Sequence, residues 1–245
     1  MTSTRAQKQA TLNWLTVQLL DGTIDFCSSA SFSKAAMPFS AQHIKAARLH
    51  LQKNDPVMKG LLKRVGPFTG KTTRHRFSTL AKSIVSQQIS TSAARTIQGR
   101  LNQLINGEGQ VNFKIEPEDL VEYSVEQLRE AGISKQKATY LLDLATKVND
   151  QTVDLKSIHR LEDEEAIDVL TQVKGIGRWT AQMFLMFCLG RMDILPVDDL
   201  GIKNAIASAY QLEEKPDKKT IEEIAQPWRP YASVASWYLW RSTEL

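Results

Sequence analysis

Apolar positions recur along this chain with the spacing of helices. In Phe77, Leu80, Ala81, Ile84, Val85 and Ile89 they fall at i, i+3, i+4, i+7 and i+8, which is one face of a helix. Ala138, Leu141, Leu142, Ala145 and Val148 repeat the pattern. Ser124-x-x-Gln127 and Thr220-x-x-Glu223 read as capping boxes opening short helices. No sustained alternation of period two bounded by hairpin turns occurs, so the expected fold is mainly α. Leu12, Leu15, Leu19 and Leu20 are compatible with a further helix, and the small, polar Ser28 to Ser33 reads as a loop. Breaks are expected at Val65-Gly-Pro-Phe-Thr-Gly70 and at Asn106-Gly-Glu-Gly109.

One segment departs from the amphipathic rule. From Trp179 to Leu189 the sequence WTAQMFLMFCL is apolar on nearly every side, which places such a helix at the centre of a core. Residues just before and after it are then held rigidly.

Composition narrows the class. A chain of 245 residues with 42% hydrophobic and 24% charged side chains can bury a full core. Its net charge of +4 and pI near 9.0 are compatible with a nucleic-acid partner without establishing one. The two cysteines, Cys27 and Cys188, are far apart and cannot build a disulfide framework, a zinc site or an iron–sulfur site. His43, His50, His75 and His159 show no ligand spacing. No apolar run is long enough for a membrane span. Met1 to Gln9 lacks an apolar stretch behind its basic residues and does not read as a secretion signal, so the expected location is intracellular.

The two most informative segments flank the apolar helix. In Leu170-Thr-Gln-Val-Lys-Gly-Ile-Gly-Arg-Trp-Thr-Ala181, a helix is expected to end near Val173, with Gly175 and Gly177 permitting a tight turn. A glycine turn at a helix N-terminus points N–H groups outward, which suits an anion, so Gly175, Gly177 and Thr180 are candidates for holding a phosphate. Beyond the helix lies Ile194-Leu-Pro-Val-Asp-Asp-Leu-Gly-Ile-Lys203, with Asp199 twenty residues after Trp179.

Val-Lys-Gly-Ile-Gly-Arg-Trp-Thr-Ala, as it stands at 173–181, resembles the hairpin of the helix-hairpin-helix (HhH-GPD) DNA glycosylases, in which a Gly/Pro-rich loop and an aspartate follow the hairpin. Asp55-Pro-Val-Met58, Ser83-Ile-Val-Ser-Gln-Gln-Ile-Ser90 and the run Trp228-Arg-Pro-Tyr-Ala-Ser-Val-Ala-Ser-Trp-Tyr-Leu-Trp-Arg241 match the same family in the same order. The branch it is most similar to is the 3-methyladenine glycosylases of alkylation repair. The resemblance implies an all-α, two-lobed fold with a DNA groove between lobes. It further implies an N-terminal helical extension over 1–54, and a glycosylase core over 55–245 with the hairpin at 170–181 and the catalytic loop at 190–203. A β-rich N-terminal domain found in some bacterial relatives is expected to be absent.

Site roles follow from the same resemblance, residue by residue. Aligned on Leu-Gly-Ile-Lys, Asp199 takes the catalytic position, leaving Asp198 to cap the helix or bond the loop. Trp179, Met183 and Trp240 match base-binding positions; Met183 stands where some relatives carry an aromatic, and Ala232 where relatives often carry a basic residue. Gln88 matches the wedge that fills the gap left by an extruded base, with Gln87 bonding to backbone nearby, and Lys174 approaches a phosphate. The main chains of Thr171, Val173 and Ile176 match a site for a monovalent cation, sodium or potassium; no cofactor is required for the chemistry. Members that cut the DNA backbone carry a nucleophilic lysine at or near position 179, where this chain has tryptophan, so lyase activity is not expected. The expectation is a monomeric, monofunctional glycosylase acting on double-stranded DNA containing alkylated purines such as 3-methyladenine and 7-methylguanine, with no membrane partner. It would be cytoplasmic, at the nucleoid, in a bacterium. A non-catalytic protein that only binds damaged or bent DNA is the alternative.

Overall fold

The computed structural model describes residues 39–107 and 113–245. The expected helix at Leu12–Leu20, the loop at Ser28–Ser33 and Cys27 lie outside the described residues, as does Gly109. Every regular element among the described residues is helical, as the periodicity indicates. In chain order they are α1 (Ala41–Asn54), α2 (Pro56–Val65), α3 (Arg76–Ser86), α4 (Thr91–Asn106), α5 (Pro117–Val121) and α6 (Val125–Glu130). After these come α7 (Lys135–Asn149), α8 (Asp163–Thr171), α9 (Arg178–Phe187), α10 (Leu200–Ala209), α11 (Lys218–Ala225) and α12 (Ala232–Ser242). Single 3₁₀ turns occupy Ile158–Arg160 and Gln226–Trp228. Among the described residues no helix is long and apolar enough to cross a membrane.

The chain divides into two compact units: residues 73–184, and residues 39–72 together with 185–245. The division falls inside α9. In the first unit α3 is the central element. Phe77, Leu80, Ala81, Ile84 and Val85 are all buried, and α3 packs against both α4 and α7. Burying each of Leu80 and Ile84 stabilises the unit by about 1.5–3 kcal/mol. Ile89, expected on the same face, falls outside the helix because α3 stops at Ser86 and Gln88 turns to φ +57°. The buried Ser78 hydroxyl donates to Ile115 O at 2.8 Å and accepts Ile115 N–H at 3.0 Å, so the segment before α5 is tied to α3.

Caps are set by local chemistry. Ser124 forms the expected capping box with Gln127. The box expected at Thr220 is one turn late: Asp217 caps α11 by accepting Thr220 N–H at 2.8 Å, and Thr220 is the third helical residue. Aspartate accepts at a helix start as well as a hydroxyl does, so the earlier acceptor takes the position.

In the second unit α1, α2 and α12 pack together, with α10 on α12. Trp228, Trp237, Tyr238, Leu51, Met58 and Leu62 are fully enclosed. At its heart Asp55 caps α2, its Oδ1 accepting from Val57 and Met58 N–H at 2.8 and 3.0 Å. Its Oδ2 accepts from Trp228 Nε1 at 2.8 Å and from the Tyr210 hydroxyl. Four donors converge on one buried carboxylate, which is what removing such a group from water requires. Burial first, and the Asp55 hydrogen bond and charge second, push the Tyr210 phenol well above its ordinary value.

Candidate functional site

The carboxylate and the hairpin are built in separate units. In the second unit the loop between α9 and α10 is held from α12. Ser233 N–H donates to Met192 O at 2.9 Å, and the Ser233 hydroxyl accepts Ile194 N–H at 2.9 Å. Arg229 pairs with Asp193 at 3.1 Å and donates to its carbonyl at 2.6 Å. Asp199 N–H then closes a turn on Pro196 O at 3.0 Å, and α10 starts at the next residue.

Asp199 is 2% exposed and is the N-cap of α10. Its Oδ1 accepts Ile202 N–H at 2.7 Å and Trp240 Nε1–H at 2.9 Å. The capping role expected of Asp198 therefore belongs to Asp199. Asp198 is exposed and pairs with Lys218 at 2.9 Å. Only the second aspartate directly precedes the helix, so only it reaches the first-turn N–H groups. Trp240, expected at a base wall, is 3% exposed, with its indole N–H donated to Asp199. Gly201 belongs to the site although no periodic or turn pattern marks it. A Cβ there would stand 2.9 Å from Asp199 Oδ1 and 3.1 Å from Trp240 Cδ1, so glycine alone lets carboxylate and indole meet. Ala232 is fully buried.

In the first unit the hairpin runs from the end of α8 to the start of α9. Gly175 has φ +84°, a left-handed conformation that costs a residue with a side chain about 1–2 kcal/mol. Tyr140 of α7 lies against it, and an added Cβ would meet the ring at 2.1 Å. Gln87 bonds to backbone as expected, and the backbone is the hairpin's own: Nε2 donates to Gly175 O at 2.7 Å. Asp143 Oδ2 accepts Lys174 N–H at 2.8 Å and Lys147 Nζ at 2.9 Å, while Lys147 also donates to Gln172 O at 2.5 Å. Burial alone would raise the Asp143 pKa, but the bonds and charges of Lys147 and Lys174 outweigh it and hold it below the ordinary value. The fastening is therefore present above pH ~4 and fades only as pH falls through that depressed value.

The other expected residues fall as follows. Lys174 carries its ammonium 3.7 Å from Asp143 with the side chain 64% exposed. Val173 and Ile176 are buried and Ile176 N–H closes the turn on Val173 O at 3.0 Å; Thr171 ends α8. Gly177 is exposed, Trp179 half-buried and Thr180 buried, all at the N-terminus of α9, where the first N–H groups have no partner within the helix. Met183 is fully enclosed. Gln88 is exposed. Among the described residues no group of three or more histidine, cysteine, aspartate or glutamate side chains is placed to hold a metal ion.

The two glycines predict different failures. Gly175→Ala should both destabilise the protein, by at least the ~1–2 kcal/mol of its left-handed φ, and weaken duplex binding. Gly177→Ala meets no protein atom within 4 Å. It should leave thermal stability unchanged, so that any loss of duplex affinity it causes reports on the hairpin surface itself. Thermal melts and fluorescence anisotropy on an undamaged duplex separate the two.

Comparison with known proteins fits this geometry. Residues 81–230 match the family model for the HhH-GPD superfamily base excision DNA repair protein. DNA-3-methyladenine glycosylase 1 of Schizosaccharomyces pombe is 34% identical over 203 residues, covering 81% of this chain and 87% of that protein. The alkylbase DNA glycosidase-like protein mag2 of the same yeast is 32% identical over 206 residues, covering 82% and 94%. Among solved structures, the S. pombe 3-methyladenine DNA glycosylase in complex with abasic DNA superposes with a TM-score of 0.69 at 32% identity, covering 82% of this chain and 97% of that one. A DNA-3-methyladenine glycosidase from Bacillus halodurans gives 0.70 at 35% identity, over 79% and 86%. A hairpin with a left-handed glycine, followed across a buried helix by a helix-capping aspartate, thus sits in a chain that belongs to the HhH-GPD superfamily of base excision DNA repair proteins.

Proposed function

We propose that this protein is a monofunctional DNA glycosylase that excises alkylated purines from double-stranded DNA. The observation that carries the reading is Asp199, a buried carboxylate fixed by a helix N–H and an indole N–H. Departure of the base builds positive charge on the sugar. A carboxylate held rigid and shielded from bulk water stabilises that charge without reorganising, and orients the attacking water. An alkylated purine is already cationic and leaves without a general acid. The base itself must be extruded from the stack. Trp179 is the residue we assign to stacking on it, a cation–π contact contributing about 0.5–2 kcal/mol. Met183 and Trp240 match base-binding positions by resemblance, but each is enclosed and presents no face to a base here. Gln88 fills the gap, while Gly175, Gly177, Thr180 and Lys174 hold a phosphate through the hairpin. Tryptophan at 179 provides no amine for a Schiff base, so the abasic strand stays intact.

A monovalent cation, sodium or potassium, is assigned to the carbonyls of Thr171, Val173 and Ile176. Support comes from Thr171, whose carbonyl lies in the last turn of α8 where carbonyls lack intrahelical donors, and from the turn that follows it, in which Val173 O accepts Ile176 N–H at 3.0 Å and keeps a second lone pair. Replacing sodium and potassium by tetramethylammonium at equal ionic strength should then weaken duplex binding. A DNA substrate places the enzyme inside the cell, at the nucleoid if the source is a bacterium.

The test is single-turnover release of methylated bases from alkylated duplex DNA. Release of 3-methyladenine or 7-methylguanine with unbroken abasic strands is the expected result. Binding without release would establish a damage-binding protein instead, and strand scission would overturn the monofunctional assignment.

A further inference from the structure

One face of α7 carries Lys137, Tyr140, Asp143 and Lys147, at helical spacings of three, three and four. The last three fasten the hairpin, as described above. Lys137 does something else. Its Nζ donates to Val85 O at 2.7 Å and to Gln87 O at 2.6 Å, two carbonyls at the C-terminal end of α3. A cation there satisfies acceptors the helix leaves open and complements its dipole. The next residue is Gln88, exposed and at φ +57°, the left-handed conformation that often ends a helix and is uncommon for a residue with a side chain. Two residues on, Ser90 caps α4 by accepting Ala93 N–H at 3.2 Å. The turn is thus clamped at both ends. Gln87 also joins it to the hairpin through Gly175 O. Val85, Ile89, Ile97, Ile133 and Lys137 line a small cavity beside the turn.

We propose that Lys137 is a positioning residue for base extrusion: by bridging the Val85 and Gln87 carbonyls it locks the left-handed turn that aims Gln88 into the duplex. This rests on the reading of Gln88 as the group that fills the gap. Lys137 touches neither DNA nor the reacting atoms in this role. It works by ordering in advance a turn that would otherwise be ordered at the moment of insertion. Burial, which lowers the Lys137 pKa from its ordinary value, agrees with an ammonium turned inward.

The experiment is a double-mutant cycle between Lys137→Met and Gln88→Ala, because acting through one residue produces non-additivity. Two readouts are taken with the full chain: affinity for an undamaged duplex, and 2-aminopurine fluorescence beside an abasic-site analogue, which reports unstacking. Lys137→Met should leave undamaged-duplex affinity within about twofold while reducing unstacking by up to about tenfold, the ordering cost of one rotamer-rich side chain. In the Gln88→Ala background it should change nothing further. Lys137→Arg, which keeps charge and donors, should restore most of the signal; it carries the cycle against Lys137→Gln if the methionine variant does not fold. Additive losses, or equal loss of undamaged-duplex affinity, would overturn the proposal. Because the abasic analogue needs no base release, the role of Lys137 is tested even in a protein that releases no methylated base.

Discussion

Asp199→Asn is expected to lower single-turnover release of methylated purines by about 10²–10³-fold while leaving affinity for an abasic duplex intact. That is the range observed when one preorganised electrostatic group is removed from a buried site. The substitution is informative because it is nearly silent structurally. Asparagine is as good an N-cap as aspartate. Its amide oxygen can still accept both Ile202 N–H and Trp240 Nε1–H, the two bonds that hold Oδ1 now. Those two bonds survive while the charge is lost. Asp198→Asn, by contrast, should leave the rate unchanged, since Asp198 is exposed and paired with Lys218. Full activity in Asp199→Asn would mean that the reaction does not draw on this carboxylate.

Asp55→Ala should be strongly destabilising, costing about 3–5 kcal/mol from a lost helix cap together with buried donors left unpaired. Trp228 Nε1, fully enclosed, would lose its carboxylate acceptor. Asp55→Asn should fall between alanine and wild type. One of its two positions becomes an N–H₂ facing either the backbone donors or Trp228, and an indole N–H cannot accept. Denaturant unfolding followed by tryptophan fluorescence measures both, and a loss below about 1 kcal/mol for alanine, the size of a cap alone, would refute the network's role. The network also sets an alkaline limit. With the Tyr210 phenol pushed up by burial and by Asp55, its contribution is complete below the ordinary tyrosine pKa of about 10 and is lost as pH rises above it. Tyr210→Phe should remove that part of the pH dependence.

Local patterns are readable wherever the physics is local. The core face of α3 follows from apolar spacing between Phe77 and Val85, and the Ser124 box from two side chains three residues apart. The glycine at 175 is legible because a turn between two helices needs a left-handed residue. Sequence and structure part where two local solutions compete. Thr220 and Asp217 both offer a cap acceptor, and Asp198 and Asp199 both precede α10; in each case the winner is the residue whose side chain reaches the first-turn N–H groups. Ile89 matches the helical period but lies past a turn that Lys137 holds through carbonyls 52 and 50 residues away.

Helicity, the apolar core helix and the glycine turn before it are written into the chain directly, because periodicity and turn chemistry act over a few residues, whereas Asp199 is singled out by resemblance to the family and its capping role only by the structure. What fastens them emerges only on folding. Asp55 reaches Tyr210 and Trp228 across 155 and 173 residues, Asp143 reaches Lys174 across 31, and Gly201 matters because Asp199 and Trp240, 41 residues apart, converge beside it. Such pairings leave no periodic trace, since a hydrogen bond between distant side chains depends on where packing brings them and not on how far apart they stand in the chain.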